Sequence, residues 1–140
     1  MVRREKMIIT RESEYAMRMI FALADNEIKP VRQISKEEQL PHKWAYKILK
    51  KMERAGIVKA YHGVNGGYQL DKKISQISML DILTINKNTL RFSECAHGLS
   101  CSHATHNLNK CIINKEIRRL ENAIISELRK RTMDKVIKAI

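Results

Sequence analysis

Ala55-Gly56-Ile57-Val58-Lys59-Ala60-Tyr61-His62-Gly63-Val64-Asn65-Gly66-Gly67-Tyr68-Gln69-Leu70 is the stretch that decides the fold. Ile57–Tyr61 and Gly67–Leu70 read as two short strands, rich in β-branched, aromatic and aliphatic residues. The link between them is glycine-rich, and its Asn65-Gly66 pair tolerates the positive φ that tight hairpins require. Gly56, just before the first strand, is placed to end a helix as its C-terminal glycine.

Three helical patterns precede this hairpin. Thr10 is an N-cap candidate with Glu12 and Glu14 in the first turn, and Ala16, Met17, Ile20, Phe21 and Ala24 follow at helical spacing. Val31 to Glu38 fits a short second helix with Ile34 inward. Leu40-Pro41 breaks it, and proline suits the start of a third helix carrying Ala45, Ile48, Leu49 and Met52 inward. Three helices and a two-stranded hairpin make a winged helix-turn-helix, whose third helix enters the major groove of DNA. His42, Lys43 and Tyr46 are then candidates for contacts at or near the bases, and Lys47, Lys50 and Lys51 for phosphates. In the hairpin, Lys59, His62 and Asn65 are the polar candidates, with Gly63 and Gly66 allowing close backbone approach. The competing role for all of them is a solvated basic face.

Composition agrees. Over 140 residues, 27 Lys+Arg against 15 Asp+Glu give a formal charge of +12, which favours a polyanionic partner. Aromatics make up only 5%, so the core must be aliphatic and methionine-rich. No run reaches the roughly 18 apolar residues that span a bilayer, and no signal-peptide pattern opens the chain. These features predict a cytoplasmic protein with no membrane partner. There is no phosphate loop, no HExxH and no Ser/His/Asp set with a supporting motif, which argues against an enzyme or a small-molecule substrate.

Downstream of a short helix at Ser78–Ile85 the periodicity stops, and all three cysteines follow: Cys95, Cys101 and Cys111. An odd number of cysteines in a reducing compartment argues against a disulfide framework and leaves metal ligands, reactive thiols or buried bystanders. Then Ile113, Ile117, Leu120, Ile124 and Leu128 step by three or four residues. One narrow apolar seam of this kind predicts helix–helix pairing, and hence a homodimer. The reading is mainly α with a small β-hairpin. Residues 1–85 form a winged helix-turn-helix DNA-binding domain, 86–111 a cysteine-bearing sensor loop, and 112–140 a long C-terminal dimerisation helix and tail.

Tyr15-Ala16-Met17-Arg18, Trp44 to Leu49, Ala55-Gly56-Ile57-Val58 and Gly66-Gly67-Tyr68-Gln69-Leu70 resemble the Rrf2 family of bacterial transcription regulators. With three cysteines between the winged part and a long last helix, the resemblance is to its cluster-binding, IscR- and NsrR-like branch. Val64-Asn65 departs from the family's usual wing residues. The resemblance implies a dimeric regulator, in the repressor mould, on a pseudo-palindromic operator in double-stranded DNA. An iron–sulfur cluster held by the three cysteines would switch it, sensing redox state, nitric oxide or iron–sulfur status. Where the IscR-like branch has a histidine three residues after the last cysteine, this chain has Asn114. The NsrR-like branch instead takes an acid from the partner's first helix, and Glu14 matches it, with Arg18 beside the cluster. His103 and His106 are further fourth-ligand candidates. For Glu14 the competing role is an ordinary i,i+4 pair with Arg18. The choice between 2Fe–2S and 4Fe–4S stays open. So does an alternative in which the same scaffold uses zinc or bare redox thiols.

Overall fold

A computed structural model describes residues 9–85, 92 and 111–138. Three helices, α1 (Arg11–Ala22), α2 (Val31–Glu37) and α3 (His42–Arg54), are followed by the antiparallel hairpin β1 (Val58–Tyr61) and β2 (Gly67–Leu70). Next come a single 3-10 turn at Ile74–Gln76 and the short helix α4 (Met79–Leu83). The long α5 (Ile112–Lys130) and the short α6 (Met133–Lys138) complete the described chain. The fold is the winged helix-turn-helix that the sequence predicts, extended by a C-terminal helix. Among the described residues no helix is long and apolar enough to cross a membrane.

Local signals account for the ends of these elements. The Thr10 hydroxyl accepts the Ser13 N–H at 3.2 Å and caps α1. Ser78 and Asp81 form a reciprocal capping box at the start of α4. Gly56, at φ 76°, closes α3: its N–H reaches Glu53 O at 3.0 Å and the Ile57 N–H reaches Met52 O at 2.9 Å. The inward residues of α3 are all buried, and they pack with Ala16, Met19, Ile20 and Ile34 into one core.

The hairpin keeps the expected strands, with Val58 opposite Leu70 and Tyr61 opposite Gly67. Its turn corrects the sequence reading. The positive φ values fall on Gly63 and Gly67, not on the Asn65-Gly66 pair, and the Gly66 N–H bonds Gly63 O at 3.0 Å. The link is therefore a longer loop over 62–66. Gly66 and Gly67 are there for internal packing rather than for outward approach. A Cβ at Gly66 would sit 2.4 Å from the Tyr61 carbonyl oxygen, and one at Gly67 2.4 Å from the Lys29 backbone carbonyl.

Lys29 is what Gly67 makes room for. Its backbone pairs with Tyr68 in both directions, at 2.9 and 2.8 Å, which adds a one-residue bridge beside the wing. Its buried ammonium donates to Ala22 O at 2.6 Å and meets Asp25 at 2.9 Å and Glu37 at 3.2 Å. Burial opposes the charge on Lys29, but the two carboxylates outweigh it and raise its pKa. Asp25 is held below the usual carboxylate range, first by the Lys29 hydrogen bond. Glu37 is lowered first by Gln33 and then by Lys29.

The far end of the chain returns to the same core. Thr132 bridges Ser78, the Met79 N–H bonds Arg131 O and the Met133 N–H bonds Ile77 O, both at 2.8 Å, and Met133 is buried among the core side chains. Sequence periodicity did not predict α6.

Gly67→Ala should lower unfolding free energy by about 3 kcal/mol, because the added methyl meets backbone that cannot swing away; urea titration would measure it. Two carboxylates with depressed folded-state pKa values contribute stability above pH ~4 and lose it as pH falls through their folded values. Acid unfolding of Lys29→Met should therefore be less steep than that of the wild type, as followed by circular dichroism.

Candidate nucleic-acid interface and cysteine region

With Ala45, Ile48, Leu49 and Met52 turned inward, the helical repeat turns Lys43, Lys47, Lys50 and Arg54 outward as a stripe along α3. His42, Lys43, Tyr46 and Lys47 are exposed, and Lys50 is half-buried. The wing presents Lys59, His62, Gly63 and Asn65 to solvent. Three lysines stand over aromatic rings: Lys47 over Trp44 at 5.1 Å, Lys50 over Tyr46 at 5.6 Å and Lys59 over Tyr61 at 5.5 Å from the centroid. These contacts restrict long side chains without neutralising them. Lys50 also sits near Tyr68 and Glu53, which raise its pKa, Tyr68 foremost, so its charge is secure at neutral pH.

Lys51 has a different employment. Its ammonium meets the Glu12 carboxylate of α1 at 2.5 Å, both side chains being largely shielded. Glu12, in the first turn of α1, was legible only as a cap-region acid, because a pairing 39 residues distant leaves no local trace. Trp44 is the feature that periodicity overlooked. It is 45% exposed on the flank of the lysine stripe, although it is the sole tryptophan of an aromatic-poor chain.

Of the sensor residues, Cys95, Cys101, His103 and His106 lie outside the described residues. Cys111 is described: it is a free, half-buried thiol at the N-cap of α5. Glu14 is exposed on α1. Arg18 does not pair with it. Instead Arg18 donates to the backbone carbonyl of Glu38, lies 3.7 Å from the Glu38 carboxylate and sits over the Tyr15 ring. Glu121, buried on α5, accepts the Phe92 N–H at 3.1 Å. That bond ties a residue just ahead of the cysteine window to the long helix.

Helix α5 is inverted for a monomer. Its buried residues are polar, Asn114 and Glu121. Its apolar seam faces outward, with Ile113 68%, Leu120 47% and Ile124 41% exposed, and Ile117 and Leu128 half-buried.

Comparison with known proteins agrees with this architecture. The model of the family Rrf2, described as "Iron-dependent Transcriptional regulator", matches residues 9–139. The chain is 28% identical over 137 residues to protein aau3 of Rhizobium meliloti, covering 95% of this chain and 86% of that one. It is 27% identical over 100 residues to the transcriptional regulator NsrR of Geobacillus kaustophilus, covering 68% of each. Among solved structures, T. potens IscR superposes with a TM-score of 0.70 at 18% identity, covering 96% of this chain and 88% of that one. At that identity the superposition speaks for the fold alone.

The two kinds of lysine should separate in experiment. Lys51→Ala should lower the melting temperature and leave the salt dependence of duplex binding nearly unchanged. Lys43→Ala and Lys47→Ala should leave melting unchanged and each reduce the slope of log K against log salt by about 1 per subunit. Fluorescence anisotropy across a potassium chloride series would measure both.

Proposed function

Because the chain belongs to the Rrf2 family of transcription regulators, we propose that it is a dimeric repressor whose grip on DNA is set by an iron–sulfur cluster. In this reading Cys95, Cys101 and Cys111 hold the cluster. It is a regulator rather than an enzyme: the outward stripe of α3 lies along the major groove and the wing lies beside it. Lys47 and Lys50 meet phosphates, His42, Lys43 and Tyr46 lie at or near base edges, and Lys59, His62 and Asn65 supply polar contacts from the wing. Two copies joined through Ile113, Ile117, Leu120, Ile124 and Leu128 set their α3 helices about one DNA turn apart, ~34–36 Å, which fits a pseudo-palindrome.

The observation that carries the regulatory half is Cys111 at the head of the inverted helix α5. One thiol of the triad is fixed to the element whose exposed seam calls for a second copy. The donor chemistry suits the cofactor, since thiolates bind iron–sulfur clusters and soft metals. A bound cluster supplies a link among thiolates that oxidants and nitric oxide can break. Cys111 would pass the resulting constraint into α5, whose C-terminal end is pinned to the winged core through Arg131, Thr132 and Met133. For a fourth ligand, Glu14 is exposed and not engaged by Arg18, which leaves it available to the partner's cluster. His103 and His106 are the other candidates, and they also suit a zinc site on the same thiols. The names of the relatives, NsrR and IscR, point towards the cluster reading.

Anaerobic purification followed by iron and sulfide analysis tests this. Brown protein with equal iron and sulfide is expected, two irons per chain marking 2Fe–2S and four marking 4Fe–4S, with loss of both elements in Cys95→Ala, Cys101→Ala and Cys111→Ala. The cluster-loaded form should bind its operator more tightly than the stripped form at equal salt. Equal affinity overturns the switch, and colourless protein that cannot be reconstituted transfers the sensing role to zinc or thiols.

A further inference from the structure

We propose that Trp44 reads a thymine, by packing its indole against the 5-methyl group in the major groove. The proposal rests on the reading of α3 as the DNA-facing helix.

Three observations converge on it. Trp44 is the third residue of α3, in the first turn, where a side chain of a groove-lying helix comes nearest the base edges. It is 45% exposed although nothing in the core needs it, since Ala45, Ile48, Leu49 and Met52 already fill the inward face of the helix. Its ring is also held. The Lys47 ammonium lies 5.1 Å from the ring centroid, on the same stripe as Lys43, Lys50 and Arg54.

A large apolar surface flanking four cations is poorly suited to phosphate, sugar hydroxyl or solvent. The major groove offers one apolar group on a base edge, the thymine methyl, and that group distinguishes A·T from T·A as well as from G·C. The lysines bring the polyanion to this face, and the cation over the ring arrives already partnered by it. Burying the methyl against the ring then removes apolar area from water on both sides. Tyr46, on the opposite flank of the stripe, carries a hydroxyl and keeps the polar role assigned to it above.

The test removes the methyl from the DNA and the ring from the protein, separately and together. A duplex is first enriched from a random pool by the full-length homodimer. Each thymine of one half-site, and of its symmetry mate, is then replaced by deoxyuridine. For wild type, one position should lose roughly fourfold in affinity per half-site, the size expected for re-exposing one methyl group. W44A should bind the thymine duplex more weakly and lose nothing further on deoxyuridine, whereas W44F should retain part of the methyl effect. Thermal melting checks that the variants remain folded.

If no thymine replacement weakens wild type, or if W44A remains as sensitive to deoxyuridine as wild type, the proposal is overturned. It is equally overturned if the sensitivity disappears in Y46A and persists in W44A. In each of these cases K43A and K47A still weaken binding, so α3 stays on the DNA. If K43A and K47A bind as wild type does, the reading of α3 fails and this proposal falls with it.

Discussion

One ammonium group gathers the winged unit. Lys29 sits between the end of α1 and α2, with its Nζ on Ala22 O, Asp25 and Glu37, while its backbone forms a bridge to Tyr68 of the wing. A buried cation is stabilising only when it is partnered, and here one carbonyl and two carboxylates surround it. The arrangement fixes the direction in which α1 hands over to α2, and hence where α3 projects. It also fixes the wing relative to α3, because the same residue that closes the helical corner aligns β2. Gly67 is the steric counterpart of this arrangement: the wing lies so close to Lys29 that no side chain fits between them.

Much of this was legible from the sequence, and what was missed shares one physical cause. Ala45, Ile48, Leu49 and Met52 announce the inner face of α3 by spacing alone, and Thr10, Ser78 and Gly56 mark helix ends through chemistry that acts within a few residues. The hairpin strands were legible for the same reason. The tight turn at Asn65-Gly66 was read from dipeptide preference, but the loop is set by the approach of Gly67 to Lys29, 38 positions away in sequence. Lys51 was assigned by its place on a basic helix, whereas Glu12 claims it from α1. Met133 gave no signal at all, because one methionine in a charged tail has no periodicity to declare its burial. Local rules identify elements; pairings between distant residues decide what several of their side chains do.

The candidate site divides along the same line. The candidate DNA-contact residues of α3 stand on a regular element, so their outward face was legible from spacing, and Trp44 was passed over because exposure of a tryptophan cannot be read from spacing. The seam of α5 was legible as an apolar row. What the sequence did not disclose is that the opposite side of the helix buries Asn114 and Glu121, so that the helix turns its polar side to its own chain. A helix of this kind leaves its hydrophobic effect to an encounter with another surface.

The return of Met133 to the core bears on the order of events during synthesis. Met133 is one of the buried residues of that core, so its packing is complete only once α5 has been made and Arg131, Thr132 and Met133 have reached Ile77 and Ser78. Domains ordinarily fold as units in the order in which they are translated. In this chain the cysteine-bearing stretch is already present before the winged core is complete. Completion of the winged core and availability of all three thiols therefore fall close together in a molecule's life.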